Sequence, residues 1–111
     1  MKPENVLLGQ SGNGLHVRLC DFATAKDISG FESDQLARTF VGSAEYISPE
    51  LLGLDTSKGK YTCFESDLWA TASILYFMLA GKPPFQGDGE YQTFKNVETV
   101  RNCLKKLFNS E

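Results

Sequence analysis

The chain has 111 residues, 41% of them hydrophobic and 23% charged, with a net charge of −3. This is an ordinary globular composition, long enough for one small domain. Its mild acidity excludes a broad attraction for nucleic acid or anionic lipid.

Val6-Leu7-Leu8 is too brief for a signal-peptide core and reads as a short strand. Leu15-His16-Val17-Arg18-Leu19-Cys20 alternates as a second strand, with Leu15, Val17 and Leu19 on one face. Ser11-Gly12-Asn13-Gly14 between them predicts a hairpin turn, because Asn-Gly favours the tight connections that match strand twist. In an antiparallel hairpin the residue before the first strand and the residue after the second share the open end. Asn5 and Asp21 are therefore expected to be neighbours, with two oxygen ligands converging there.

Residues 22–50 show little periodicity and read as one long loop, a feature that is usually functional in a compact domain. Ser48-Pro49-Glu50-Leu51-Leu52 predicts a short helix with Ser48 as N-cap, Pro49 at the first helical position and Gly53 closing it. After a connection over 54–64, Ser66-Asp67 predicts the start of a helix that stops at Gly81, before Pro83-Pro84. That helix is apolar nearly all round, which suits the centre of a larger body. Its longest apolar run, Ala70 to Ala80, falls well short of a membrane span. Tyr91 to Val97 reads as helical, and Val97, Val100, Leu104, Leu107 and Phe108 continue at helical spacing. Cys20, Cys63 and Cys103 are widely spaced with no Cys-x-x-Cys pair, so reduced thiols are expected rather than a disulfide framework or zinc site.

Three short motifs stand in order: Lys2-Pro3-Glu4-Asn5, Asp21-Phe22-Ala23 and Ser48-Pro49-Glu50. Any one arises by chance; the ordered set resembles the metal-binding half of a Ser/Thr protein-kinase active site. Asp21-Phe22-Ala23-Thr24-Ala25-Lys26 and the run Thr39 to Glu50 resemble the phosphoinositide-dependent protein kinase family of the AGC group. Ser66-Asp67-Leu68-Trp69-Ala70 and Ala80-Gly81-Lys82-Pro83-Pro84-Phe85 fit it too, so the likeness covers about Met1 to Val97, and residues 98–111 depart from the pattern.

The resemblance implies an α+β protein kinase-like fold, here a partial C-lobe, mainly helical with one small β-hairpin. It implies ATP and Mg²⁺ as cofactors, with Asn5 and Asp21 as metal ligands and Lys2 near the transferred phosphate. Thr39 falls at the activation-loop phosphorylation site, Lys26 at a basic partner for that phosphate, and Ser43 at the substrate-loop hydroxyl. Glu50 resembles a structural ion-pair residue, and Asp67 the aspartate that braces the catalytic loop. Each has a plainer reading beside it: a solvated terminal charge for Lys2, turn residues for Asn5 and Ser43, a loop aspartate for Asp21, an unmodified threonine for Thr39, helix-start acids for Glu50 and Asp67. Ala23 departs from the family's glycine. Were a left-handed backbone required there, an L-residue would cost about 1–2 kcal/mol.

No Gly-rich loop, strand lysine or His-Arg-Asp precedes Lys2, and the catalytic aspartate would lie two positions before it. The chain is therefore expected to be a C-lobe fragment of a kinase that transfers the ATP γ-phosphate to protein Ser or Thr, inactive in isolation. Its expected partners are ATP and protein substrates, other kinases among them, with no nucleic acid and no direct membrane contact, in the cytoplasm or nucleus. A reading of another class is a non-catalytic module that binds kinase partners or substrates.

Overall fold

The computed structural model describes residues 1–25, 42–53 and 63–108. A single 3-10 turn, Pro3–Asn5, leads into strand β1, Val6–Ser11, which pairs antiparallel with β2, Gly14–Leu19. The register runs from Val6 opposite Leu19 to Ser11 opposite Gly14, so the loop is Gly12-Asn13 alone and Gly14 already belongs to the ladder. Gly9 lies opposite His16, whose ring covers the space that a Cβ at position 9 would need. His16 is consequently half-buried. Leu15, Val17 and Leu19 share a face, as alternation requires, but that face is exposed.

Residues 42–53 contain a second 3-10 turn, Ala44–Tyr46, within the stretch read from sequence as continuous loop. The short helix expected from Ser48 does not form. Instead the Leu51 and Leu52 N–H groups donate to the Ser48 carbonyl at 3.1 and 3.3 Å, and the Gly53 N–H donates to Glu50 at 3.2 Å. The reason is local: the Ser48 hydroxyl points away to a serine on the first long helix and leaves the turn uncapped. Gly53 ends the turns in the left-handed region at φ 68°.

Helix α1 spans Cys63–Ala80 and begins one turn before the position expected from Ser66-Asp67. It ends as its sequence dictates. Gly81 takes φ 73°, and its N–H donates to the Phe77 carbonyl at 2.9 Å, a left-handed C-cap. Helix α2 spans Glu90–Phe108, continuous across the two segments read from sequence. The Thr93 hydroxyl fixes its start, accepting from the Gly87 N–H and donating to the Gly89 carbonyl, both at 3.0 Å.

The core lies where Ala44, Ile47 and Ser48 meet Ala70, Ser73 and Ile74 of α1 and Thr93 and Val97 of α2, all buried. Phe85 joins the two helices: its ring stacks on Trp69 with centroids 5.0 Å apart, and its carbonyl accepts from the Asn96 side chain at 3.1 Å. Although α1 is apolar nearly all round, its buried residues among those described are Ala70, Ser73 and Ile74, with Trp69 half-buried beneath Phe85 beside them. Leu68, Leu75, Met78 and Leu79 face outward, Leu79 being 91% exposed.

Candidate active site

The site is built from the hairpin's open end. Pro3, with φ fixed by its ring, starts the 3-10 turn, and the Asn5 N–H donates to the Lys2 carbonyl at 3.1 Å. This turn sets Lys2 and Asn5 one after the other at the mouth of β1. Across from them the Cys20 N–H donates to the Asn5 carbonyl at 3.0 Å, extending the ladder by one pair beyond Val6 and Leu19. Asp21 follows immediately, so the backbone brings Asn5 and Asp21 to the same end as alternation predicts.

The Asp21 backbone is unusual. Its φ is +60°, the one left-handed non-glycine residue among those described, and its Oδ1 accepts from the Ala23 N–H at 3.4 Å. Asp tolerates this region because its short side chain bonds locally, and residues held there cluster at functional sites. The left-handed residue of the motif is thus Asp21, not Ala23, and the cost considered for an alanine at position 23 does not arise. Asp21 is exposed. Among the described residues no three His, Cys, Asp or Glu side chains gather to hold a metal. The chemistry that fits one carboxylate and one amide oxygen is Mg²⁺, which binds through one or two protein oxygens and takes the rest of its shell from phosphate and water.

Other elements close around this end. The Met1 amino group lies 3.7 Å from Asp67 Oδ1 at the start of α1, and the Thr71 hydroxyl donates to the Asp67 carbonyl at 2.8 Å. Ser43, half-buried, precedes the Ala44–Tyr46 turn, and its carbonyl accepts from the Tyr46 N–H at 3.0 Å. Burial pushes the Tyr46 phenol above its ordinary value, with Glu4 and Glu45 adding to the rise. Glu4 belongs to the same turn as Lys2 and Asn5, so the substrate-loop candidate Ser43 and the open end of the hairpin share one electrostatic neighbourhood.

Glu50 Oε1 accepts from the Ser66 hydroxyl at 2.9 Å, and Ser66 Oγ accepts from Ser48 at 3.1 Å. Neither serine stands out in the sequence except as a helix cap, and their contacts with each other and with Glu50 span too many residues for local patterning to reveal. Cys20 and Cys103 are free thiols. Lys26 and Thr39 lie outside the described residues. No described helix is long and apolar enough to cross a membrane.

A family profile described as "Protein kinase domain" matches residues 1–110. The chain belongs to the protein kinase family. It is 42% identical over 97 residues to human "3-phosphoinositide-dependent protein kinase 1", a match covering 87% of this chain and 16% of that protein. Human "Putative 3-phosphoinositide-dependent protein kinase 2" is 41% identical over 87% of this chain and 22% of its own length. "Serine/threonine-protein kinase PKH1" of Saccharomyces cerevisiae is 41% identical over 97% of this chain and 14% of its own. The kinase chain described here therefore spans under a quarter of the length of each of these relatives. Its hairpin and two helices are consistent with part of a kinase fold. Kinases of this family act on proteins and generally use ATP with Mg²⁺.

Proposed function

We propose that this chain forms the metal-binding and substrate-facing part, in the C-lobe, of a serine/threonine kinase domain that transfers the ATP γ-phosphate to a protein hydroxyl. The observation that supports it most is the hairpin end, where the Asn5 carbonyl accepts from the Cys20 N–H and the left-handed Asp21 follows Cys20 directly. Asp21 and Asn5 would hold Mg²⁺, which neutralises phosphate charge when bound. The Lys2 ammonium would compensate charge developing on the transferred phosphoryl group. Ser43 would face the incoming hydroxyl, Asp67 would brace the turn that bears Lys2, and Glu50 would anchor the end of the substrate loop. A phosphorylated Thr39 would order its loop against Lys26, since phosphate adds about −1.5 to −2 charges. Other kinases are the proposed substrates, in the cytoplasm or nucleus.

In kinases the substrate hydroxyl gives its proton to a catalytic-loop aspartate. That residue would stand two positions before Lys2, so the 111-residue chain alone should not phosphorylate. The test joins the chain to the nucleotide-binding lobe and catalytic loop of the human relative and measures peptide phosphorylation and Mg-ATP affinity. Asp21→Ala should abolish both, whereas Thr39→Ala should lower activity and leave Mg-ATP binding intact. Full activity in Asp21→Ala, or Mg²⁺-dependent transfer by the 111-residue chain that Asp21→Ala abolishes, would overturn the reading. A completed protein that binds kinases without phosphorylating would favour the non-catalytic module.

A further inference from the structure

We propose that Ser66 is a positioning residue, latching residues 43–53 to helix α1 through a directed relay of hydroxyls from Ser48 through Ser66 to Glu50. The direction follows from chemistry. An ionised carboxylate only accepts, so the Ser66 hydroxyl donates to Glu50 Oε1 at 2.9 Å, and its oxygen is left to accept from Ser48 at 3.1 Å. Ser48 is 0% exposed, and its hydroxyl would be costly to bury without this acceptor. Its carbonyl holds the Leu51 and Leu52 N–H groups, so one residue serves both the turn and the latch. A chain ending on a charge is also strengthened by mutual polarisation of its bonds.

The position of Ser66 in the helix supplies the functional content. One turn further along α1 the Thr71 hydroxyl, which donates to the Asp67 carbonyl at 2.8 Å, lies 3.7 Å from the Met1 sulfur, beside Lys2. Residues about one turn apart on one helix thereby touch the chain beside Lys2 and the Ser48 and Glu50 end of the segment that carries Ser43, tying the two sides of the site to a common support. That consequence rests on the proposed substrate-facing role of Ser43; the latch itself does not.

Valine and threonine at position 66 have nearly the same shape and differ by the hydroxyl, so the pair isolates the relay from packing. In amide hydrogen exchange of the 111-residue chain, Ser66→Val should speed exchange at Leu51, Leu52 and Gly53 about tenfold, while Ser66→Thr stays within about twofold of the parent. Exchange at Gly81 and Thr93, bonded within or beside the helices, should not change. Equal rates in the two variants, or an acceleration spread evenly over both helices, would overturn the latch. If Ser66→Val does not fold, Ser48→Ala decides on the same three amides: selective acceleration supports the relay and unchanged rates refute it. In the completed kinase Ser66→Val should raise KM for peptide about fivefold with KM for ATP unchanged, and Ser66→Thr should restore it. Faster exchange with an unaltered peptide KM would refute the positioning role while leaving the kinase reading intact.

Discussion

Replacing Asp21 by glycine and by alanine separates the two things this residue does. Both substitutions remove the carboxylate; only alanine keeps a Cβ on a backbone at φ +60°. A left-handed L-residue costs about 1–2 kcal/mol, and glycine avoids this at an unfolded-state entropy cost of about 0.5–1 kcal/mol. Asp21→Gly should therefore be more stable than Asp21→Ala by about 0.5–1 kcal/mol, or about 2–5 °C in Tm for a chain of this size. Aspartate should fall between them, because the 3.4 Å contact from the Ala23 N–H to its own carboxylate offsets part of the strain. Ala23, outside the left-handed region, is an internal control with the opposite sign: Ala23→Gly should lower stability by about 0.4–1 kcal/mol. Thermal and urea denaturation followed by circular dichroism would measure all three, and Mg²⁺ titration should show the proposed metal binding lost equally in both Asp21 variants. An alanine variant as stable as the glycine variant would refute the left-handed conformation at Asp21.

Tyr46 carries a pH prediction. Its folded-state pKa lies above the ordinary 10.0, through burial and then through Glu4 and Glu45. The neutral phenol's contribution is therefore complete below pH 10.0 and is lost as pH rises through the higher folded-state value. Tyr46→Phe should flatten the alkaline fall in urea midpoint, and an unchanged slope would count against the assignment. In the core, Val97→Ala should cost about 2–3 kcal/mol, combining roughly 1.6 kcal/mol of transfer with a cavity term, because Val97 is 0% exposed. Leu79→Ala should cost under about 0.5 kcal/mol and reduce binding of a hydrophobic dye, since Leu79 is 91% exposed. Equal destabilisation by the two would contradict the burial pattern of α1 and α2.

The hairpin was legible in the sequence because alternation and a Gly-Asn-Gly connection constrain the same few bonds, and with it the placing of Asn5 and Asp21 at one open end. The stop of α1 was legible because only glycine readily takes the conformation of Gly81. Its start was not, because Ser66 lies inside the helix and directs its hydroxyl to Glu50, 16 residues away, instead of capping. Ser48-Pro49-Glu50 has the pattern of a helix start, yet the Ser48 hydroxyl reaches a partner 18 residues distant and the segment remains a run of turns. Local patterning reads the bonds a residue can make with its neighbours. It cannot see competition from a remote partner, nor that the strain of the Asp21 motif falls on the aspartate.

The stack of Trp69 on Phe85 also makes the molecule its own optical reporter. Trp69 is the single tryptophan, and its indole nitrogen is buried with no hydrogen-bond partner among the described residues. Its fluorescence should thus be blue-shifted in the folded chain and move to the red when Phe85 leaves the ring. Because Phe85 is also held by Asn96, this colour change reads the junction of α1 with α2. Binding confined to the hairpin end should leave the emission untouched, so a spectral shift on adding Mg²⁺ and nucleotide would mean that the hairpin end and the helical core respond together.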